Sequence, residues 1–292
     1  MFEISQNEIF FFNVSGVSVF ISFWLYAASW LNARLSFLKK SGSFFLFISL
    51  ITLIIALVFR GMALKFFPLA NLYESLLMLS CALIIAYLFL EWKFQIGSLG
   101  WIVSGFLLVL YLYASWLPES QKAIVPLVPA LRSYWRVIHV PPLLMSYSLF
   151  LIGALSSCGY LIETMIFNKS NVETPRRGVS TGIIIRDKFN FFDETTYRAV
   201  TFGFPLLTIG VITGALWANH AWGALWQWDP KETMALVTWF VYAAYLHFRI
   251  NTQVSKKVLA LISVIGVVMV YLTYLGVNQF NFGGLHTYGK IE

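Results

Sequence analysis

Long apolar runs alternate with short polar breaks along the whole chain, and eight runs reach the length of about 20 residues that a helix needs to cross a bilayer. They fall at roughly 9–31, 43–63, 72–91, 98–116, 141–165, 199–218, 233–250 and 257–277. Membrane β-strands are about half as long and alternate between apolar and polar positions, so every run predicts a helix. Two breaks carry helix-start chemistry. Asp229-Pro230-Lys231-Glu232 supplies a capping side chain, a proline suited to a first helical position and a glutamate three residues on. Asn71-Leu72-Tyr73-Glu74 makes the same kind of start for the third run. These residues need be nothing more than caps.

Composition agrees with the runs. Hydrophobic residues make up 59% of the 292 and charged residues 11%, with mean hydropathy +0.75, against roughly 25% charged in a soluble domain. The fold class expected is all-α, a polytopic integral membrane protein of about eight transmembrane helices in a single membrane domain, 1–292. Its features are a tryptophan-rich loop at 219–232 and an inside loop at 166–198.

The net charge of +7 forms no single basic patch, which argues against nucleic acid as a partner. Thirteen of the twenty Lys and Arg follow runs 1, 3, 5 and 7, and seven lie on the opposite side. The positive-inside rule puts the thirteen in the cytoplasm or stroma, and both termini, the 117–140 loop and the tryptophan loop on the lumenal or periplasmic side. Before the first run come Glu3 and Glu8 and no basic residue, unlike a signal or transit peptide. A plastid thylakoid membrane is the expected location, with a bacterial inner or thylakoid membrane as the alternative. Abundant phenylalanine, 27 residues, points to an AT-rich genome such as a plastid's.

Cys81 and Cys158 lie inside predicted spans with no CxxC or CxxCH between them. The chain therefore has neither a dithiol pair nor a site for covalent haem of its own, and both thiols read as small buried apolar groups.

Trp222, Trp226 and Trp228 crowd one polar break, more than interfacial anchoring needs, and predict an aromatic surface for something large and flat. Of the four histidines, His139 and His286 fall on the tryptophan side, and two neutral imidazoles beside an aromatic surface suit an axial haem pair. Ordinary interfacial histidines fit their placement as well. His220, two residues before Trp222, is on the same side. His247 is inside the seventh run, about 21 Å from its outer end at 1.5 Å per residue. A haem there lacks a second imidazole from this chain at that depth, so it is five-coordinate or shares a ligand with another subunit. The alternative is a hydrogen bond between helices.

These residues resemble a known family. Trp222-Gly223-x-x-Trp226-x-Trp228-Asp229-Pro230-Lys231-Glu232 resembles the "WWD" signature of haem-handling proteins. Its Pro-Lys-Glu ending resembles the CcsA (ResC-type) branch of cytochrome c biogenesis system II. So do Asn71-Leu72-Tyr73-Glu74-Ser75, Gly214-Ala215-Leu216-Trp217-Ala218-Asn219, Tyr245-Leu246-His247-x-Arg249 and Gly284-Leu285-His286-x-Tyr288-Gly289. The resemblance runs from about residue 60 to the C-terminus. It implies haem b as the bound substrate and Trp222, Trp226, Trp228 and Asp229 as the segment holding it. His139 and His286 are then the outer axial ligands, and His247 the intramembrane one. The partners it implies are a ResB/CcsB-type membrane subunit supplying a second intramembrane histidine, and c-type apocytochromes whose CxxCH motifs receive the haem as a thioether. His220 stands where the family usually has an acidic residue, so no ligand role carries over to it. Two other classes remain open: a haem transporter without attachment chemistry, and a b-type electron carrier. The second is disfavoured because only His247 lies within a span.

Overall fold

The computed structural model describes residues 5–124, 133–173, 179–250 and 254–276. Among them the secondary structure is helical, with no β-strand. In chain order the helices are α1 Gln6–Leu31, α2 Leu38–Leu64, α3 Leu72–Phe94, α4 Gly100–Trp116, a single turn α5 Glu119–Lys122, α6 Trp135–Glu173, α7 Val179–Trp222, α8 Pro230–Ile250 and α9 Lys256–Tyr271, the last followed by a π turn over Leu272–Gly276. Each of the eight predicted spans has its helix. Seven of the helical segments are long and apolar enough to cross a membrane. The remaining one, α8, has 21 residues and therefore a length of about 31 Å, but it is less apolar.

α1 packs on α2 and α4, α6 packs on α7 and α9, and α8 closes against α9 and α7. The α3–α6 contact joins the two groups. Interior polar groups show how the first group is tied. At one end, Arg60 of α2 reaches Glu74 of α3 (Nε–Oε1 2.9 Å) and Glu8 of α1 (Nη1–Oε1 3.5 Å), with all three side chains fully buried. An isolated buried charge is strongly disfavoured, so such a triad holds three helix ends in register. At the opposite end, Tyr26 of α1 and Ser43 of α2 both donate to the Glu91 carboxylate of α3, at 2.8–2.9 Å and 2.7 Å.

Helix ends follow local chemistry. The Asn71 side chain accepts from the Glu74 amide at 2.9 Å, the cap expected for α3. Asp229 and Glu232 cap α8 as their spacing predicts. Asp229 Oδ2 accepts from the Lys231 amide (3.0 Å), and Glu232 Oε2 accepts from the amides of Gln227 (2.8 Å) and Asp229 (3.3 Å).

Three expectations need correction. α6 begins at Trp135 rather than near 141 and carries Pro141 and Pro142 inside it. The prolines leave the carbonyls of Val137 and Ile138 without helical donors but do not end the helix. The stretch 166–198, expected as an inside loop, is largely helical: α6 continues to Glu173, just before Thr174-Pro175 in the sequence, and α7 starts at Val179. Polar residues in a helix that projects beyond the apolar layer cost little, and a proline two residues on is where a helix is expected to stop. Cys81 is buried as expected, but Cys158 is exposed. The preceding residues Ser156 and Ser157 bond to Phe192 and Thr196 of α7, which turns position 158 outward.

Candidate functional site

α7 ends in the tryptophan segment. Its last turn closes with the Gly223 amide donating to the Asn219 carbonyl at 2.9 Å, and Gly223 takes φ +77°, the left-handed conformation usual just past a helix. Five residues later Trp228 also adopts a positive φ, +57°. Without the freedom of glycine, such a residue is held by its surroundings at a cost on the order of 1 kcal/mol or more, and the capped start of α8 holds it here. The outcome is a large apolar side chain that is 71% exposed. Trp226 is half-buried and meets Trp228 edge to face, ring centres 6.0 Å apart at 87°. These two rings therefore do not form one flat surface.

Trp222 is half-buried and belongs to a second aromatic group. Its ring centre is 6.5 Å from that of Trp217, inclined at 31°, and Trp217 is 5.7 Å from the imidazole of His139. The structure therefore brings His139 to the tryptophan segment through Trp217, to which the family resemblance assigns no role.

His139 sits on the second turn of α6, half-buried, with Nδ1 2.8 Å from the carbonyl oxygen of Gly210 in α7. A carbonyl only accepts, so Nδ1 carries the proton and the lone pair of the neutral ring is on Nε2. That is the nitrogen a metal would take. One turn earlier, Arg136 is 3% exposed and donates from Nη2 to the Phe67 carbonyl at 3.1 Å, while its Nε and Nη1 make no hydrogen bond among the described residues. The indole nitrogen of Trp217 is likewise buried with no hydrogen bond to a described residue. In the first turn of α8, burial holds the Lys231 ammonium below its ordinary range, with the Asp229 carboxylate pulling the other way.

The other predicted residues lie apart or outside the described chain. Asp229 is buried, and its carboxylate caps α8. His220, in the last turn of α7, is exposed. His247 is exposed near the far end of α8, seventeen residues and so about 26 Å from Pro230. Beside it the end of α8 and the start of α9 meet α7 in an ionic cluster: Arg249 and Lys256 bind Asp193 at 2.6 and 3.0 Å. His286 lies outside the described residues. The described chain stops at Gly276, with the Tyr274 hydroxyl 2.7 Å from Ser75 Oγ on the first turn of α3. That is the end of the bundle at which α6 starts.

Comparison with known proteins shows the family to which the chain is related. The family model described as "Cytochrome C assembly protein" matches residues 69–285. A cytochrome c biogenesis protein CcsA from Guillardia theta is 39% identical over all of both chains. The CcsA of Porphyra purpurea is 35% identical over 98% of each, and that of Prochlorococcus marinus strain MIT 9313 is 37% identical over 92% of this chain and 88% of the relative. Among solved structures, the cytochrome c haem lyase CcmF superposes with TM-score 0.63 over 95% of this chain at 14% identity, a likeness of fold. This chain spans about half, 49%, of that one.

Proposed function

Because the chain belongs to the cytochrome c assembly protein family, and so serves the biogenesis of c-type cytochromes from within a membrane, we propose that its tryptophan-bearing end receives haem and presents it for attachment to the CxxCH motifs of c-type apocytochromes. The observation that carries this reading is His139, an imidazole whose Nδ1–H is taken by a backbone carbonyl beside an aromatic group. His286 is the second axial ligand. Support for it is the direction of the chain: nine residues separate it from Gly276, which leaves α9 at the end where His139 sits.

The substrate is haem b, with both vinyl groups still free. Trp222, Trp226 and Trp228 bear on the macrocycle edge as two differently inclined pairs with Trp217, holding its position rather than offering one flat platform. Asp229 contributes by capping α8 and so fixing the loop to a rigid element. Lys231 is a candidate propionate partner, since a carboxylate would offset the burial that disfavours its charge. Attachment adds each client S–H across a vinyl double bond. One axial imidazole then yields to the client histidine.

His247 is the intramembrane ligand. Its exposure on α8 suits a site completed by a second subunit of the ResB/CcsB type. The membrane is the plastid thylakoid with the tryptophan loop lumenal, a placement supported by the relatives in Guillardia theta and Porphyra purpurea and by the distribution of basic residues.

Deleting this chain tests the reading. Covalent haem on c-type cytochromes is expected to disappear from haem-stained gels while b-type haem proteins persist. Covalent c-type haem at wild-type level in the deletion strain would overturn it.

A further inference from the structure

The contact between α6 and α7 at His139 is closer than ordinary helix packing allows. A Cβ built on Gly214 would lie 2.6 Å from His139 Cε1, 2.9 Å from its Nδ1 and 3.4 Å from its Nε2, and one built on Gly210, a turn away, would overlap the side chain of Leu143. His139 and Leu143 are themselves one turn apart on α6, so two consecutive side chains of one helix seat in the two glycine gaps of the other. This small-x-x-x-small arrangement lets the backbones approach. The approach brings the Gly210 carbonyl within 2.8 Å of the imidazole.

We propose that this seat on α7 is the orienting element for His139: the Gly210 carbonyl selects the Nδ1–H tautomer, and the bare Cα of Gly214 leaves the Nδ1–Cε1–Nε2 edge of the ring room to reach that carbonyl, so that the lone pair rests on Nε2. Gly210 and Gly214 are positioning residues, acting through the histidine. The inference rests on the reading of His139 as a haem ligand, and its chemistry is that of metal-bound histidines generally, whose second ring nitrogen is tied to a carbonyl or carboxylate that fixes tautomer and orientation. Free imidazole side chains in water favour the other tautomer, with the proton on Nε2, so the seat would have to reverse an intrinsic preference.

The seat can be tested without haem. The full-length chain, labelled with ¹⁵N in its four histidines and reconstituted in lipid nanodiscs, gives imidazole nitrogen resonances. His139 is assigned as the set lost in His139→Gln. The expected result is a neutral ring protonated on Nδ1 in the wild type, moving to the Nε2–H form in Gly214→Ala. A wild-type ring protonated on Nε2 would overturn the proposal, and that measurement needs no variant to fold.

With haem bound, Gly214→Ala is expected to lower retention of low-spin haem by about tenfold or more, the range typical for loss of such a partner, with recovery on adding imidazole. Gly153→Ala, on the same helix interface but facing Ala199 at 3.3 Å, should behave as wild type. If Gly214→Ala keeps both tautomer and haem while His139→Ala loses haem, the seat is wrong and the ligand assignment stands. If the tautomer is as expected but His139→Ala keeps haem, the ligand assignment is wrong.

Discussion

The two helical groups use their buried polar residues in opposite ways. In α1–α3 the charges are withdrawn from the surface and matched to one another: Glu8, Arg60 and Glu74 are fully buried together, and Glu91 collects two hydroxyls at the other end. In α6–α8 the aromatic and imidazole groups stay within reach of the surface, with Trp228 mostly exposed in a strained backbone conformation and His139 and Trp222 half-buried. The indole nitrogen of Trp217 and the hydroxyls of Tyr242 and Tyr245 are buried there with no hydrogen bond among the described residues. The first region is a frame that ties its helices through buried charges set against one another, although the Glu8 carboxylate and Arg60 Nη1 make no hydrogen bond among the described residues, and the second holds its aromatic and imidazole groups nearer the surface. Arg136 lies on the seam, bound to the α2–α3 connection one turn before His139.

If this division is right, damage to the frame should appear as instability and damage to the second region as lost haem. The largest effect is expected for Arg60→Met, which leaves two buried carboxylates unpaired. Stability should fall by about 3–5 kcal/mol, measured by thermal unfolding in detergent, while any folded fraction keeps the wild-type haem spectrum. Next comes His139→Ala, with haem retention down about 100-fold, or roughly 2.8 kcal/mol at 1.4 per tenfold. Unfolding temperature should be little changed, and added imidazole should restore part of the Soret band. Equal destabilisation by both variants would erase the distinction between the regions.

Trp228→Ala removes an exposed ring and should lower haem retention about fivefold, corresponding to roughly 1 kcal/mol of aromatic contact. Trp228→Gly should match it in haem loss yet unfold at a higher temperature than Trp228→Ala, because glycine adopts the positive φ without strain. The smallest effect is expected for His220→Glu, on an exposed residue: c-type haem staining should stay at wild-type level, and a complete loss would give His220 a role it lacks here.

Local chemistry was readable from the chain, and contacts between distant helices were not. The spans follow from apolar runs, and the α8 cap from the spacing of Asp229, Pro230 and Glu232, because each depends on neighbours within one turn. The start of α6 was misplaced because Pro141-Pro142 is an ordinary stop signal, and packing carried the helix through it. The extensions of α6 and α7 were missed because polarity alone does not separate a solvated helix from a loop. Arg60 was counted only as an outer cation, since nothing near it in sequence reveals Glu8 or Glu74. The link from His139 through Trp217 to Trp222 joins residues about 80 positions apart. The Gly210-x-x-x-Gly214 spacing was the one signal that could have pointed to it.

The central claim is that His139 and His286 hold one iron beside the tryptophans. Electron paramagnetic resonance of ferric haem in the full-length chain, carrying His247→Ala so that the other site is silent, tests it most directly. The expected spectrum is low-spin bis-histidine, turning high-spin in either His139→Ala or His286→Ala and returning to low-spin with added imidazole. An unchanged low-spin signal with both outer histidines replaced would contradict the account.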